Sequence, residues 1–211
     1  MTNLNKRIFT SLIVFPVSMF FIIKGGNYIV SFLYAILILA NFEAFSAFKR
    51  KTSIIFLDSI LVVSLLSILH LRNDTASSLI LLLWVIILTI SSDIGGYIFG
   101  KIFKGPKLTK ISPNKTYAGV FGSFLLSLMA GLIYTNYFGK NEITNSDHLF
   151  ILLLIIFISL ISQIGDLIIS YFKRKAKIKD TGKILPGHGG LLDRIDGMIF
   201  VFPICYLITI I

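Results

Sequence analysis

Cysteine occurs once in the chain, as Cys205. A single thiol excludes an internal disulfide and a cysteine-based metal site. Acidic residues are scarce as well: ten Asp and Glu stand against twenty Lys and Arg, for a net charge of +10. There is no internal repeat, no low-complexity tract and no stretch that would make a soluble domain. What fills the 211 residues is apolar side chain, 55% of the total, with a mean hydropathy of +0.88. No soluble domain of this size hides that much apolar surface, so the class is polytopic membrane protein. The positive excess points to anionic partners, phosphates or lipid headgroups. Topology alone accounts for part of it, because cytoplasmic loops collect Lys and Arg in any membrane protein.

Apolar segments fall at 8–23, 28–48, 53–70, 77–99, 117–138, 149–172 and 197–211. A helix needs about 20 apolar residues to cross about 30 Å of hydrocarbon, and only helices satisfy their backbone there. The expectation is an all-α integral membrane protein of about seven transmembrane helices, the first and last short, with a polar active site on the cytoplasmic side. Numbering the sides alternately puts seventeen Lys and Arg on one and three (Lys24, Arg72, Lys140) on the other. The N-terminus and the two long polar loops are therefore expected in the cytoplasm and the C-terminus outside. Residues 6–24 have the outline of a signal peptide, but no small-x-small site follows and no cleavage is expected. The chain is taken as one membrane domain, 1–211: an N-terminal transmembrane scaffold (1–92) and a catalytic part (93–211) with cytoplasmic loops 100–116 and 173–196. His70 and His148, at the outer helix ends, read as interfacial residues.

Four acids, Glu43, Asp58, Asp93 and Asp166, sit within apolar segments or at their ends. An ionisable group at membrane depth is costly and so a functional candidate. Asp58 also fits an interfacial or capping role, and Glu43 a structural pairing with Lys49-Arg50-Lys51. Asp93 is followed by Gly95 and Gly96, which permit close approach of another helix or of a ligand. The segment from Lys101 to Lys115 mixes lysines with Gly and Pro and is not expected to be regular helix. Ser112-Pro113-Asn114-Lys115-Thr116 then opens the next helix with cations and hydroxyls, a ready anion site. Gly100 to Lys107 is not a P-loop, since Pro106 stands where the lysine would be.

The most polar stretch runs from Ser170 to Asp196. It holds three of the ten acids and seven of the twenty Lys and Arg. Asp166, Ser170, Lys173, Arg174 and Lys177 are spaced to form one stripe of a helix, a carboxylate with cations on the same face. Snorkelling Lys and Arg would give this pattern; a stripe aimed at a ligand phosphate is the sharper reading. Lys179-Asp180 and Pro186-Gly187-His188-Gly189-Gly190 follow. Glycines can present N–H groups to an anion, and His188 can donate to a phosphate or move a proton. Asp193 and Asp196 share a helical face, with Arg194 turned away. With Asp166 they offer oxygen ligands for Mg²⁺, which is commonly shared with substrate phosphates. The chemistry suggested is phosphoryl or nucleotidyl transfer on a lipid headgroup.

The pattern Ser-x-x-Lys-Arg-x4-Lys-Asp-x-Gly-x3-Pro-Gly-His-Gly-Gly-x-x-Asp-Arg-x-Asp, carried by Ser170 through Asp196, resembles the signature of the phosphatidate cytidylyltransferases, or CDP-diacylglycerol synthases. Further similar stretches are Asp93-x-Gly-Gly-Tyr, Ser112-Pro-Asn-Lys-Thr-Tyr, the Lys6-Arg7-Ile8 opening and Glu43, so the resemblance runs over nearly the whole chain. It departs at Ala118, where family members often have Glu, and the chain is short for the family. The resemblance implies an enzyme that joins CTP and phosphatidic acid to give CDP-diacylglycerol and pyrophosphate in phospholipid synthesis. It implies Mg²⁺, and a second cation, held by Asp166, Asp193 and Asp196. Lys173, Arg174, Lys179, His188 and Arg194 would bind phosphates, with Ser170, Gly189 and Gly190 beside them. Lys115 and Ser112 would line the opposing wall, with Asp93 orienting that wall or meeting the nucleotide. Asp180 is either structural or functional. The partners expected are the two substrates, the lipid bilayer and a second copy in a homodimer, without nucleic acid. The Ile-, Lys- and Asn-rich usage points to a bacterium and its inner (plasma) membrane. A CDP-alcohol phosphotransferase is the enzymatic rival, and its motif is absent. The non-enzymatic alternative is an ion-coupled or organic-anion transporter, which would place its site nearer the midplane with repeated, broken helices.

Overall fold

The computed structural model describes residues 3–73, 75–109, 111–138, 148–187 and 189–210. His188 lies outside them, so the expectations attached to it have no structural counterpart. The described chain is helical, and its only β pairing is two isolated bridges, Lys107 with Thr116 and Leu185 with Gly189. The helices are α1 (Asn3–Lys24), α2 (Gly26–Ala47), α3 (Lys51–Leu71), α4 (Ala76–Phe103), α5 (Tyr117–Phe138), α6 (His148–Lys175), the one-turn α7 (Leu192–Ile195) and α8 (Met198–Ile210).

Each apolar segment expected from the sequence is a helix. Five of them, α2 to α6, are long and apolar enough to cross a membrane, and this is a multi-pass membrane protein. The apolar parts of α1 and α8, Phe9–Lys24 and Met198–Thr209, are shorter. Five of the described helices thus meet the length and composition of a crossing, and α1 and α8 are the short first and last apolar helices that the sequence leads one to expect. Gly197, between α7 and α8, lies against α6: a side chain there would run into Ser162.

Helices α4 and α6 have 28 residues each. At 1.5 Å per residue that is about 42 Å, longer than the hydrocarbon layer, so their C-terminal turns reach beyond it. Asp93 and Asp166 lie at matching depth, about ten residues before those ends. α4 and α5 pack most intimately, because Gly95 and Gly96 meet Gly119, Gly122 and Ser123. Of the two openings left for the glycine pair, close helix packing is the one found. Two apolar cores follow. One surrounds Trp84, Ile155 and Val201; the other, next to the polar loops, joins Ala44, Phe48, Leu57, Ile169, Leu192 and Ile199. At the opposite end of the bundle, buried Arg72 donates to the last carbonyls of α1, at Ile22 (3.0 Å) and Ile23 (3.1 Å). A cation on a helix C-terminus is favourable, and it ties α1 to α3.

The segment 104–116 is irregular, as expected. Lys104 and Gly105 adopt positive φ (53° and 90°), Leu108 N–H donates to Lys115 O (2.8 Å) and Tyr117 N–H to Pro106 O (3.2 Å). Thr116 caps α5 by accepting from Gly119 N–H (3.1 Å).

Candidate active site

Lys173, near the C-terminus of α6, is buried with its ammonium between two carboxylates, 3.0 Å from Asp193 Oδ1 and 3.6 Å from Asp196 Oδ2. Asp193 in α7 and Asp196 at its C-cap thus share the face that their spacing predicts. One turn before Lys173, Ser170 donates to Asp166 Oδ1 (3.3 Å), and Asp166 Oδ2 is paired with Lys115 at 2.6 Å. The lysine also donates to Gln163 O (3.3 Å). Loop 104–116 and the Ser170–Asp196 segment therefore meet across the end of α6. Arg174 reinforces the junction by donating to Ile111 O (3.4 Å) and Ile178 O (3.3 Å).

Asp93 joins this group from α4. It lies within electrostatic range of Asp166, Lys115 and Arg194, and Asp196 is within range of Asp93, Asp166 and Lys173. Burial first, and then the Asp166 carboxylate, push the Asp196 carboxyl above the ordinary carboxylate range. A polar seam leads inward from the group: Ser92 and Ser159 are hydrogen-bonded at 2.8 Å, Ser123 Oγ donates to Ser92 O (2.7 Å) and Gln163 Nε2 to Ser159 Oγ (3.4 Å).

The helical stripe stops short of Lys177. α6 ends at Lys175, and Ile178 N–H bonds to Lys173 O while Lys177 N–H bonds to Arg174 O, both at 3.0 Å. This is a Schellman cap, with Lys177 in the left-handed position at φ 59°. Lys177 is thereby turned away from the Asp166 face. It lines, with Lys49, Arg50, Lys175, Asp180 and Thr181, a cavity of about 680 Å³ beside the loop. Lys179 is exposed on the loop, and Ser112 closes a turn by accepting from Lys115 N–H (3.0 Å).

The glycine-rich turn is closed by Leu185 N–H donating to Gly189 O (3.0 Å), with Gly187 and Gly189 at φ 81° and 89°. The N–H of Gly190 in this turn, and those of Thr181, Leu191 and Leu192 around it, serve the protein's own carboxylates. Asp193 Oδ2 accepts from Gly190 N and Thr181 N, each at 2.9 Å. Buried Glu43 accepts from Leu191 N (2.9 Å), Leu192 N (3.0 Å) and Thr181 Oγ1 (3.4 Å). From α1, Arg7 Nε donates to Gly187 O (2.8 Å) and Thr10 Oγ1 to Pro186 O (2.9 Å). Neither this role of Glu43 nor the part of Arg7 and Thr10 follows from local spacing. The one signal for Glu43 is an acid in an apolar helix, and it pairs with loop amides rather than with Lys49-Arg50-Lys51.

Among the described residues no three Asp, Glu, His or Cys side chains converge closely enough to enclose a metal ion. The donor chemistry nevertheless fits a hard cation of the kind held by one or two carboxylates, with phosphate and water completing its shell. Asp166 and Asp196 are like charges that repel, and the buried Ser162 hydroxyl, one turn before Asp166, has no partner. Asp193 has both oxygens engaged.

The sequence pattern of the cytidylyltransferase family matches residues 45–211. A phosphatidate cytidylyltransferase of Rickettsia felis is 42% identical over 153 residues, 70% of this chain and 65% of that protein. Proteins of the same name from Staphylococcus epidermidis (40% over 131 residues) and Haemophilus influenzae (38% over 137 residues) match over 61% and 64% of the chain. The matched part spans 48% and 47% of those two proteins, so the chain covers between about half and two thirds of the curated relatives it matches.

Proposed function

We propose, for a chain that belongs to the cytidylyltransferase family, that it transfers the CMP moiety of CTP to phosphatidic acid, giving CDP-diacylglycerol and pyrophosphate. The observation that carries this reading is the meeting of Asp166, Asp193 and Asp196 with Lys115 and Lys173 at one end of a membrane bundle. That end offers cations for phosphates and carboxylates for a divalent ion where a lipid headgroup and a cytoplasmic nucleotide can both arrive.

In this mechanism a phosphate oxygen of the lipid attacks the α-phosphorus of CTP in line. One P–O bond forms, the bond to the β-phosphate breaks, and pyrophosphate leaves. The lipid phosphate is already an anion at neutral pH, so positioning and charge neutralisation contribute more than a general base. Lys115, Lys173, Arg174, Lys179 and Arg194 hold phosphates, with Ser112, Ser170, Gly189 and Gly190 lining their places; His188, outside the described residues, keeps the phosphate-donor role that the family resemblance implies. Asp93 orients the Lys115 wall. Asp166 and Asp196, with Asp193 beside them, are the residues that would hold Mg²⁺ and a second cation, which would supply neutralisation of the charge on the departing pyrophosphate.

Supported by the distribution of Lys and Arg, the N-terminus and the site are assigned to the cytoplasm and the membrane to the bacterial inner membrane. A homodimer, burying some of the exposed apolar helix faces, belongs to the same reading. The transporter alternative draws no support from relatives named for cytidylyl transfer. The test is pyrophosphate release by purified protein in mixed micelles. Release that requires CTP, phosphatidic acid and Mg²⁺ together, and that Asp166→Asn removes from a folded protein, is the expected result. No release across lipid and cation conditions would sink the reading.

A further inference from the structure

Glu43 is 2% exposed, and among the described residues no Lys or Arg forms a salt bridge with it. A buried ionised carboxylate is very costly unless hydrogen bonds take the place of water. All three donors that reach this one come from a single loop almost 150 residues further along the chain: Leu191 N–H, Leu192 N–H and the Thr181 hydroxyl.

The loop is shaped to receive it. A Cβ at Gly182 would lie 2.5 Å from Glu43 Oε1 and 2.8 Å from its Cδ, with no other group so near. A Cβ at Gly190 would lie 2.6 Å from Glu43 Oε2 and would also strike Thr181 Oγ1. Neither glycine has positive φ, so their backbones would suit any residue. They are glycine because the Glu43 carboxylate occupies the space where their side chains would begin.

We propose that Glu43 is a positioning residue. It is the post around which residues 181–192 fold, and through that loop it sets Asp193 against Lys173. The coupling is short. Thr181 gives its hydroxyl to Glu43 and its N–H to Asp193. Gly190 gives its N–H to Asp193, while the next two residues give theirs to Glu43. Moving the Glu43 carboxylate therefore moves both backbone donors of Asp193, whose other oxygen holds the Lys173 ammonium. Glu43 precedes the part of the chain matched by the family pattern, which begins at residue 45, yet it lies at the centre of the loop. For its activity arm alone, the proposal rests on the cytidylyl-transfer reading.

The experiment is a double-mutant cycle of Glu43→Ala and Gly182→Ala, with Glu43→Gln beside it. Amide hydrogen exchange is followed across the chain and pyrophosphate release is measured in parallel. Gly182→Ala alone and Glu43→Ala alone are each expected to speed exchange of amides 181–192 at least tenfold, with the helices of the bundle unchanged. In the double variant the new methyl fills space that the carboxylate has left, so exchange is no faster than in Glu43→Ala; the two effects are coupled. Glu43→Gln, which keeps size but sets a donor NH₂ in place of one of the two oxygens that accept from Leu191 and Leu192, speeds exchange at Leu191 and Leu192, and it answers the question by itself if Glu43→Ala does not fold. Its kcat falls at least tenfold while the KM for phosphatidate stays within twofold, a split that general loss of folded protein does not give. Additive effects in the cycle, or unchanged Leu191 and Leu192 exchange in Glu43→Gln, would overturn the proposal. A coupled cycle in a wild type that releases no pyrophosphate would leave the positioning role standing and remove the reaction assigned to it.

Discussion

Lys115 and Asp166 form an ion pair of 2.6 Å between the loop before α5 and the C-terminal half of α6. Their side chains are 24% and 29% exposed, so water and salt reach the pair. At such a site an ion pair contributes about 0–1 kcal/mol to stability. Its consequence is functional: a proposed phosphate binder and a proposed cation ligand neutralise each other until phosphate and metal arrive together. Lys115→Met is therefore expected to raise the KM for CTP tenfold or more, with thermal unfolding in detergent almost unchanged. Pyrophosphate release at graded CTP, beside a melting curve, checks both halves. An unchanged KM would remove Lys115 from the nucleotide site.

The Lys173 ammonium stands in a different environment, 10% exposed between Asp193 and Asp196. Removing one partner from a buried ion cluster leaves charge without compensation, at a cost of about 3–5 kcal/mol. Lys173→Met should therefore lower the melting temperature markedly, and Asp193→Asn in the same chain should restore part of the loss. Asp196→Asn is expected to behave otherwise. Lys173 keeps its closer partner, Asp193 at 3.0 Å, and burial and the Asp166 carboxylate already disfavour the ionised form of Asp196, so the melting temperature is expected to fall less than in Lys173→Met, yet the proposed cation loses a ligand and turnover falls at least a hundredfold. Melting curves of the three variants, set beside their rates, separate the two roles.

Helix positions, the room for close approach at Gly95 and Gly96 and the shared face of Asp193 and Asp196 were legible in the sequence because each depends on spacing within one helix or on residue size, whereas the choice of α5 over a ligand at the glycine pair was not. The two walls carrying Lys115 and Asp166 were legible as separate polar segments. Their meeting was not, because spacing along one helix says nothing of which neighbour it faces. The contacts of Arg7 with Gly187 and of Glu43 with Leu191 join residues 180 and 148 positions apart, and no local pattern encodes them. Lys177 shows the opposite limit: its offset from Asp166 fits a helix, but the chain leaves the helix two residues earlier through the Schellman cap.

That cap yields a stability prediction. A non-glycine residue in the left-handed region costs about 1–2 kcal/mol, and Lys177 is exposed there at φ 59°. Lys177→Gly removes the strain and adds backbone freedom to the unfolded chain, which cancels part of the gain. The net expectation is a stabilisation of about 0.5–1 kcal/mol, visible as a small rise in melting temperature. A fall would mean that the lysine side chain, on the rim of the basic cavity, contributes more than its backbone costs.

The assignment of sides can be tested with the chain's single thiol as the starting point. Cys205 is buried, so Cys205→Ser leaves a cysteine-free background, and a new thiol then reports one position at a time. Lys107, exposed in the loop before α5, lies at the same end of the bundle as Lys115 and Asp166. Ala76, exposed at the start of α4, lies at the other end, near Arg72. If seventeen of twenty Lys and Arg mark the cytoplasmic side, a membrane-impermeant maleimide added to intact cells should label Ala76→Cys at once and Lys107→Cys only after permeabilisation. The reverse pattern would place the Lys115–Asp166 site outside the cell, away from any cytoplasmic nucleotide. It would sink the assignment of CTP as substrate along with the topology.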